Sequence, residues 1–177
     1  DLLGGANGLA LQPGCGDNLA AVLQDVQLHA IHIRLEGGDA LAEAFAAHVA
    51  RQPVDPARLS VVFDVRDAAL LDELKAQGFA GHYMCADGRS FHNDGATEAQ
   101  ELACVLAGLA EGLRACGEAS GVSATLAATQ DMFPTLAKFR ALRLLWARLL
   151  EASGLPQRPL HVHGETSLRM MAVLDPH

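Results

Sequence analysis

The chain has 177 residues, 50% hydrophobic and 19% charged, a composition that supports one folded domain with a sizeable core and disfavours disorder. Thirteen basic and twenty-one acidic residues give a formal charge of −8, which offers no overall support for binding nucleic-acid phosphates. Four cysteines without a C-x-x-C pair disfavour a disulfide-stapled or zinc-knuckle module, and no apolar stretch reaches the roughly 18 residues that cross a bilayer, so we expect a soluble, untargeted cytoplasmic protein.

Strand and helix signals alternate along the whole chain. In chain order, the patterns predict a strand at 8–12, a helix at 17–26, a strand at 28–35, a helix at 39–51 capped by Asp39, a strand at 59–64, a helix at 67–77 capped by Asp67, a strand at 81–87, a helix from the Thr97–Gln100 capping box to Gly117, a strand at 122–128, a helix from Asp131 to Gly154, and a strand at 160–164. Regular alternation with short connections indicates parallel strands and right-handed crossovers.

Two architectures fit this order, an open doubly wound sheet and a parallel (β/α)8 TIM-type barrel. At ~30 residues per unit the chain supplies about six β/α units, or two-thirds of a ~250-residue barrel. It also opens on Asp1, at what reads as the end of a helix, and stops just after a strand. We therefore expect residues 1–177 to be a single α/β barrel domain, present as an incomplete fragment.

Alternation within the strands favours the barrel over the open sheet. Polar residues occupy every second position of several strands, as at His32 and Arg34, Ser123 and Thr125, and His161 and His163. If the apolar face meets the surrounding helices, the polar face points at the barrel axis, which would then admit a polar ligand. The alternative is an open sheet whose polar strand ends face solvent.

Two histidine motifs could bear chemistry. The His161-Val162-His163 pattern puts two imidazoles on one face of a strand, and with Asp64 or Asp87 it could form a metal site, although hydrogen-bonded interior histidines are the simpler interpretation. His92 lies in a predicted strand-to-helix loop, where it could donate to a carbonyl, act as a general acid, or only cap the next helix.

The remaining candidates read as structural. The cationic stripe on the last long helix, formed by Lys138, Arg140, Arg143 and Arg148, is typical of a solvated face. Cys104 and Cys116 occupy apolar helical positions, which favours core packing over a nucleophilic role.

Three blocks in the second half of the chain resemble the methylmalonyl-CoA mutases. Residues 127–133 (AATQDMF) and 137–148 (AKFRALRLLWAR) closely resemble that family's helix signature. Phe91-His92, followed by residues 95–102 (GATEAQEL), is similar to its Tyr-His loop. Residues 163–167 (HGETS) look like its Thr-Ser strand end, and Asp175-Pro176 like the Asp-Pro just beyond.

The resemblance implies an isomerase that uses adenosylcobalamin and an acyl-CoA substrate threaded through a barrel. It implies His92 as the catalytic residue, in contact with the substrate carbonyl and cobalamin, and substrate contacts for Phe91, Glu165, Thr166 and Ser167. Phe91 lacks the phenolic hydroxyl of the family's Tyr, however, and Glu165 replaces its Gln, which would bring an uncompensated negative charge towards an anionic substrate.

These departures favour the family's small subunit, a structural chain that binds no cobalamin and pairs with a catalytic large subunit. Bulky residues such as His32 and His161 at channel positions, and the lack of an Asp-x-His-x-x-Gly cobalamin signature within the chain, agree with this reading. We expect a heterodimer with the large subunit, or a homodimer, which converts methylmalonyl-CoA to succinyl-CoA and back, with adenosylcobalamin held outside this chain. The alternatives are a catalytic acyl-CoA mutase chain and, more remotely, a metal-dependent barrel hydrolase using His161 and His163.

Overall fold

The computed structural model of the chain describes residues 4–171, in which strands and helices alternate as the sequence predicts. The strands are β1 (Gly8–Leu11), β2 (His32–Leu35), β3 (Ser60–Val62), β4 (Met84–Asp87), β5 (Val122–Ala128) and β6 (His161–Thr166). The helices are α1 (Leu19–Val22), α2 (Gly38–Val49), α3 (Ala68–Ala76), α4 (Arg89–Asn93), α5 (Glu98–Cys116) and α6 (Met132–Ala152). All six predicted strands are present, and among the α-helices of residues 4–171 only α4 was not predicted from the sequence.

The strands form two three-stranded sheets, in the orders β1-β2-β3 and β4-β5-β6. The pairings of β1 with β2, β2 with β3, and β5 with β6 are all parallel, which confirms the α/β class with parallel strands. The chain divides into two compact units, Asp1–Met84 and Cys85–His177. The described residues close no barrel, so the (β/α)8 barrel and the single barrel domain stay predictions.

The two faces of the first sheet differ in polarity, because polar and apolar residues alternate along its strands. Ile33 and Val61 are register partners on neighbouring strands, and both are buried. The next pair along, His32 and Ser60, is exposed, and His32 Nδ1 lies 2.7 Å from Ser60 Oγ. These two pairs therefore put apolar residues on one face and polar residues on the other, as the sequence predicts, although Val62 lies on the polar face opposite Arg34.

Helix starts follow the capping chemistry only in part. Asp67 caps α3 by accepting from the backbone N–H groups of Ala69 and Leu70, as predicted. Asp39 was wrongly predicted as a cap, because α2 begins one residue earlier and the Asp39 carboxylate instead accepts from the N–H of Arg66 at 2.7 Å. The helix predicted at 17–26 is also shorter, a 3-10 turn followed by the four residues of α1.

The second unit is built around β5 and the two long helices. Thr97 and Gln100 form the predicted capping box at the start of α5, and Gly117 ends that helix with a left-handed φ of 73°. Leu142, Trp146 and Leu150 form the buried stripe of α6. No helix within residues 4–171 combines the length and apolarity needed to cross a membrane.

Candidate functional site

The sequence predicted a loop at His92, and this prediction is wrong. His92 lies in the short helix α4, directly after β4. The His92 N–H donates to the carbonyl of Gly88 at 3.0 Å, which closes one helical turn. Gly88 in turn donates its N–H to the carbonyl of Thr125 on β5, so the start of this turn is tied to the sheet. Gly95, with φ of 105°, then redirects the chain towards α5. This turn carries the imidazole inward.

The imidazole of His92 lies against a buried carboxylate. The residue is 1% exposed, and its Nδ1 is 3.2 Å from Oε2 of Glu101, which is itself fully buried in the first turns of α5. The other carboxylate oxygen, Oε1, accepts from the N–H of Ala127 near the end of β5 at 2.9 Å. Glu101 thus joins a helix start, a strand end and the His92 turn.

Lys138 supplies the countercharge. Its Nζ donates to Glu101 Oε2 at 2.5 Å, and the residue is 2% exposed. The prediction that Lys138 belongs to a solvated cationic stripe is therefore wrong. Lys138 stands one helical turn before the buried Leu142, so it projects towards the interior rather than towards solvent.

Glycine at position 88 provides the space that this cluster needs. A β-carbon there would lie 2.8 Å from Glu101 Cγ and 2.8 Å from Val105 Cγ2, closer than carbon atoms pack. The backbone at Gly88 has φ of −89° and needs no glycine for conformational reasons. Absence of a side chain is therefore what allows α4 and α5 to meet around the carboxylate.

Electrostatics favour a neutral imidazole. Burial lowers the pKa of His92 below its usual value, because the charged form loses its hydration; Lys138 and Arg169 lower it further, whereas Glu101 and Glu98 raise it. Neither ring nitrogen of His92 makes a hydrogen bond within residues 4–171. The cluster therefore holds an uncharged, buried imidazole beside a compensated ion pair.

A second polar cluster joins the carboxyl ends of β4 and β6. Arg89 contacts both carboxylate oxygens of Asp87, with distances from 2.6 to 3.0 Å, and donates to Glu165 Oε2 at 2.5 Å. His163 Nε2 lies 3.8 Å from that same Glu165 oxygen. Glu165 is therefore paired with Arg89, but Asp87 shares the same guanidinium, so these three side chains together keep one net negative charge.

The other residues of the predicted site have different surroundings. Phe91 is 45% exposed, and Thr166 is exposed at the end of β6. Ser167 is buried and lies 3.4 Å from Asn93 of α4, between their Oγ and Oδ1 atoms. The structure therefore brings His92 and Ser167 to one region, while Asp175 and Pro176 lie outside the described residues.

Arg169, which follows β6 in the chain, binds the backbone of α4 and of the segment after it. Its guanidinium donates to the carbonyl of His92 at 3.2 Å and to that of Ala96 at 3.4 Å. Within residues 4–171, no group of three or more His, Cys, Asp or Glu side chains is placed to hold a metal ion.

Sequence reasoning missed Glu101 and Lys138, although a signal for both was present. Glu101 stands four residues before Val105 and eight before Leu109, and both of these are buried. Lys138 stands four residues before Leu142 and eight before Trp146, which are also buried. A charged residue in register with an apolar stripe at helical spacing indicates burial. The burial of each could therefore have been predicted from the sequence, whereas their pairing depends on how α5 and α6 pack.

Comparisons with known proteins agree on one family. The family model described as methylmalonyl-CoA mutase matches residues 79–177, a range that includes both clusters. The chain is 46% identical over 102 residues to the probable methylmalonyl-CoA mutase small subunit of Mycobacterium tuberculosis (strain ATCC 25618 / H37Rv), and 41% identical over 102 residues to the methylmalonyl-CoA mutase small subunit of Streptomyces virginiae. Each of these matches covers 52% of this chain but 17% of the relative.

A third relative, the methylmalonyl-CoA mutase small subunit of Propionibacterium freudenreichii subsp. shermanii, is 39% identical over 102 residues, covering 51% of this chain and 16% of that protein. The aligned part of the chain thus spans less than a fifth of the length of these relatives. The family model, in contrast, covers more than half of the chain and all of the His92 cluster. The chain therefore belongs to the methylmalonyl-CoA mutase family.

Proposed function

We propose that this chain is part of the structural small subunit of a methylmalonyl-CoA mutase, an isomerase that interconverts methylmalonyl-CoA and succinyl-CoA. A catalytic large subunit would be its partner in a heterodimer, with a homodimer as the alternative. The names of the relatives support this assignment. The observation that carries it is the burial of His92, which at 1% exposure is closed to an acyl-CoA or a corrin ring.

The Arg89 cluster supports a non-catalytic role. Glu165 stands where the family's catalytic chains carry a Gln, and it shares the single guanidinium of Arg89 with Asp87. Two carboxylates on one guanidinium leave a net negative charge at the strand ends, which would repel an anionic substrate. This end of the sheet is therefore suited to holding strands together.

Adenosylcobalamin would belong to the holoenzyme and not to this chain. In the family's catalytic chains the matching histidine contacts cobalamin, but the buried imidazole of His92 does not fit a large planar corrin. We propose that the assembly is cytoplasmic.

The finer architecture belongs to the same proposal. The six strands would be six β/α units of a TIM-type barrel, completed by the rest of the polypeptide. Parallel pairing, sequential strand order within each sheet, and a helix after each of the first five strands support this.

The second candidate is a catalytic mutase chain. In that case His92 would be the catalytic residue, and Phe91, Glu165, Thr166 and Ser167 would contact the substrate. One observation favours it: both ring nitrogens of His92 lack a hydrogen-bond partner within the described residues, as for a side chain that binds a ligand. The exposed ring of Phe91 and the exposed Thr166 are also open to contact.

Activity of the two-chain enzyme separates the two candidates. The full-length protein would be co-expressed with the large subunit, and mutase turnover measured with methylmalonyl-CoA and adenosylcobalamin. For a structural subunit, His92→Ala in this chain leaves kcat within about twofold, whereas the matching change in the large subunit costs about a hundredfold or more. The proposal fails if His92→Ala in this chain alone abolishes turnover while the complex stays intact. If the two chains do not co-purify, the heterodimer is wrong and the homodimer is favoured.

A further inference from the structure

The chain around the end of β6 contacts the short helix α4 at three points. We propose that Glu165, Ser167 and Arg169, hereafter the latch, hold α4, hereafter the lid, closed over the buried side chain of His92. This inference concerns a movement of the fold and goes beyond the proposed function. Only its consequence, that His92 stays out of reach of an acyl-CoA substrate, rests on that function.

Helix α4 has little apolar packing of its own. It has five residues, of which His92 alone is buried, and Phe91 is 45% exposed. A helix this short is unstable in isolation, because fixing its backbone costs more entropy than its few hydrogen bonds return. Helix α5, by comparison, buries seven of its 19 residues. Contacts from elsewhere in the chain must therefore keep α4 in place.

Two side chains of the latch bind the two ends of the lid. At its first residue, Arg89 donates from Nη1 to Glu165 Oε2 at 2.5 Å. At its last residue, Asn93 accepts at Oδ1 from the hydroxyl of Ser167 at 3.4 Å. Loss of these contacts would leave α4 with the local hydrogen bonds of a single helical turn.

Arg169 binds the backbone of the lid. Its Nη1 donates to the carbonyl of His92 at 3.2 Å and to that of Ala96, just beyond the helix, at 3.4 Å. The backbone N–H of Arg169 donates in turn to Ser167 Oγ at 3.1 Å. Hydrogen bonds from a charged donor are stronger than neutral ones, so we expect Arg169 to contribute more than Ser167 at this end of the lid.

The latch is fixed to the second sheet. Glu165 belongs to β6 and is the register partner of Ala127 on β5. The N–H of Ser167 donates to the carbonyl of Ala128, at the end of β5, at 2.8 Å. The lid can therefore lose its contacts with the latch while β5 and β6 stay paired.

The lid also has a hinge, and its opening would hydrate a buried polar group. Gly95, with φ of 105°, lies between the lid and the capping box of α5, at a backbone conformation that glycine adopts without strain. In the closed lid His92 is 1% exposed, and neither ring nitrogen makes a hydrogen bond within the described residues. Hydration of the ring on opening would offset part of the free energy lost with the latch contacts.

Amide hydrogen exchange of the full-length protein in its purified assembly, read by mass spectrometry, measures opening of the lid. In the wild type, residues 89–96 should exchange faster than the buried middle of α5, because local opening requires less free energy than unfolding. Arg169→Gln should speed exchange at 89–96 by about tenfold or more. Glu165→Gln should have a smaller effect, because the amide oxygen still accepts from Arg89. Exchange in α5 should not change in either variant.

Arg148→Gln is the matched control. Arg148 forms an exposed ion pair with Glu151 on α6 that includes no latch residue, so exchange at 89–96 should stay at the wild-type rate. If Arg169→Gln unfolds the chain, α5 will exchange as fast as the lid, and Ser167→Ala, which removes only the hydroxyl contacts, then decides. Residues 89–96 that exchange no faster in any folded latch variant, or only together with α5, would overturn the proposal.

Chemical labelling tests whether opening uncovers His92. Diethyl pyrocarbonate modifies accessible neutral imidazoles, so His92 should react slowly in the wild type and about tenfold faster in Arg169→Gln. The exposed His29 should react at the same rate in both proteins. Unchanged labelling of His92 in the folded variant would refute the lid. Because neither measurement involves turnover, failure here leaves the small-subunit proposal standing, and failure of that proposal leaves the lid unaffected.

Discussion

At the scale of single residues, the most consequential feature is a charge pair in the interior. Glu101 and Lys138 are essentially inaccessible, and each contact that the carboxylate makes ties down a different element. Buried ion pairs gain little net stability over apolar residues, but a buried charge left alone is expensive. The pair therefore contributes more to geometry than to stability.

This asymmetry predicts the outcome of removing one partner. Lys138→Met leaves the buried Glu101 charge without a partner of opposite charge. It should lower the free energy of unfolding by about 3–5 kcal/mol. Adding Glu101→Gln should recover most of that loss, because the amide carbonyl still accepts from Ala127. Urea unfolding of the full-length protein measures both. A double variant no more stable than Lys138→Met would contradict this account.

His92 predicts a pH dependence of stability with a definite sign. Because its pKa is lowered in the folded chain, the unfolded chain takes up a proton first as the pH falls. Its contribution is complete above the unfolded-state pKa of about 6.5 and is lost as pH falls from there through the folded-state pKa, by at most about 1.4 kcal/mol per pH unit. Wild type and His92→Gln should therefore diverge below about pH 6.5 in urea midpoints. Parallel curves from pH 8 to 5 would exclude this role.

At the scale of elements, the junction of α4 and α5 depends on the size of one residue. The β-carbon of Gly88→Ala would press on Glu101 and Val105, and the helix backbone behind them leaves little room to yield. Thr97, by contrast, acts locally through its capping box. The start of α4 at Gly88 therefore depends on packing against residues distant in sequence, whereas the start of α5 at Thr97 depends on its own neighbours.

Gly88→Ala should therefore destabilise the chain by about 1–3 kcal/mol through overpacking. Gly16→Ala is the matched control, because its nearest heavy atoms lie 3.8 and 3.9 Å away, at ordinary contact distances. That change should stay within about 0.5 kcal/mol. Thermal melts of the two variants, side by side, test the difference, and equal melting temperatures would show that α4 adjusts freely.

At the scale of the whole molecule, the exposed surface points to further structure around the chain. Strands β1, β3, β4 and β6 each end a sheet in the described residues, and sheet edges invite association. Met132, Phe133, Leu136 and Leu144 on α6 are each more than half exposed. We expect these surfaces to be covered by the rest of the polypeptide or by the partner subunit.

Produced alone, the 177-residue polypeptide should therefore self-associate, whereas the full-length protein with its partner should have a defined mass. Size-exclusion chromatography with light scattering distinguishes these outcomes. A monomeric 177-residue polypeptide that melts cooperatively would argue against the incomplete barrel.

The sequence by itself determined the features that depend on neighbouring residues. Strand β5 begins and ends at the predicted residues, Thr97 starts α5 and Gly117 ends it, because capping and periodicity act within a few residues. The family blocks likewise identified the mutase resemblance that the comparisons confirm.

Tertiary structure alone decided the rest. His92 entered a helical turn rather than a loop, and the burial of Lys138 depended on Glu101, which lies 37 positions away in the chain. Local patterns cannot register such a pairing, because the energy of a charge depends on what surrounds it, and only the packed chain brings the carboxylate, the ammonium group and the imidazole together.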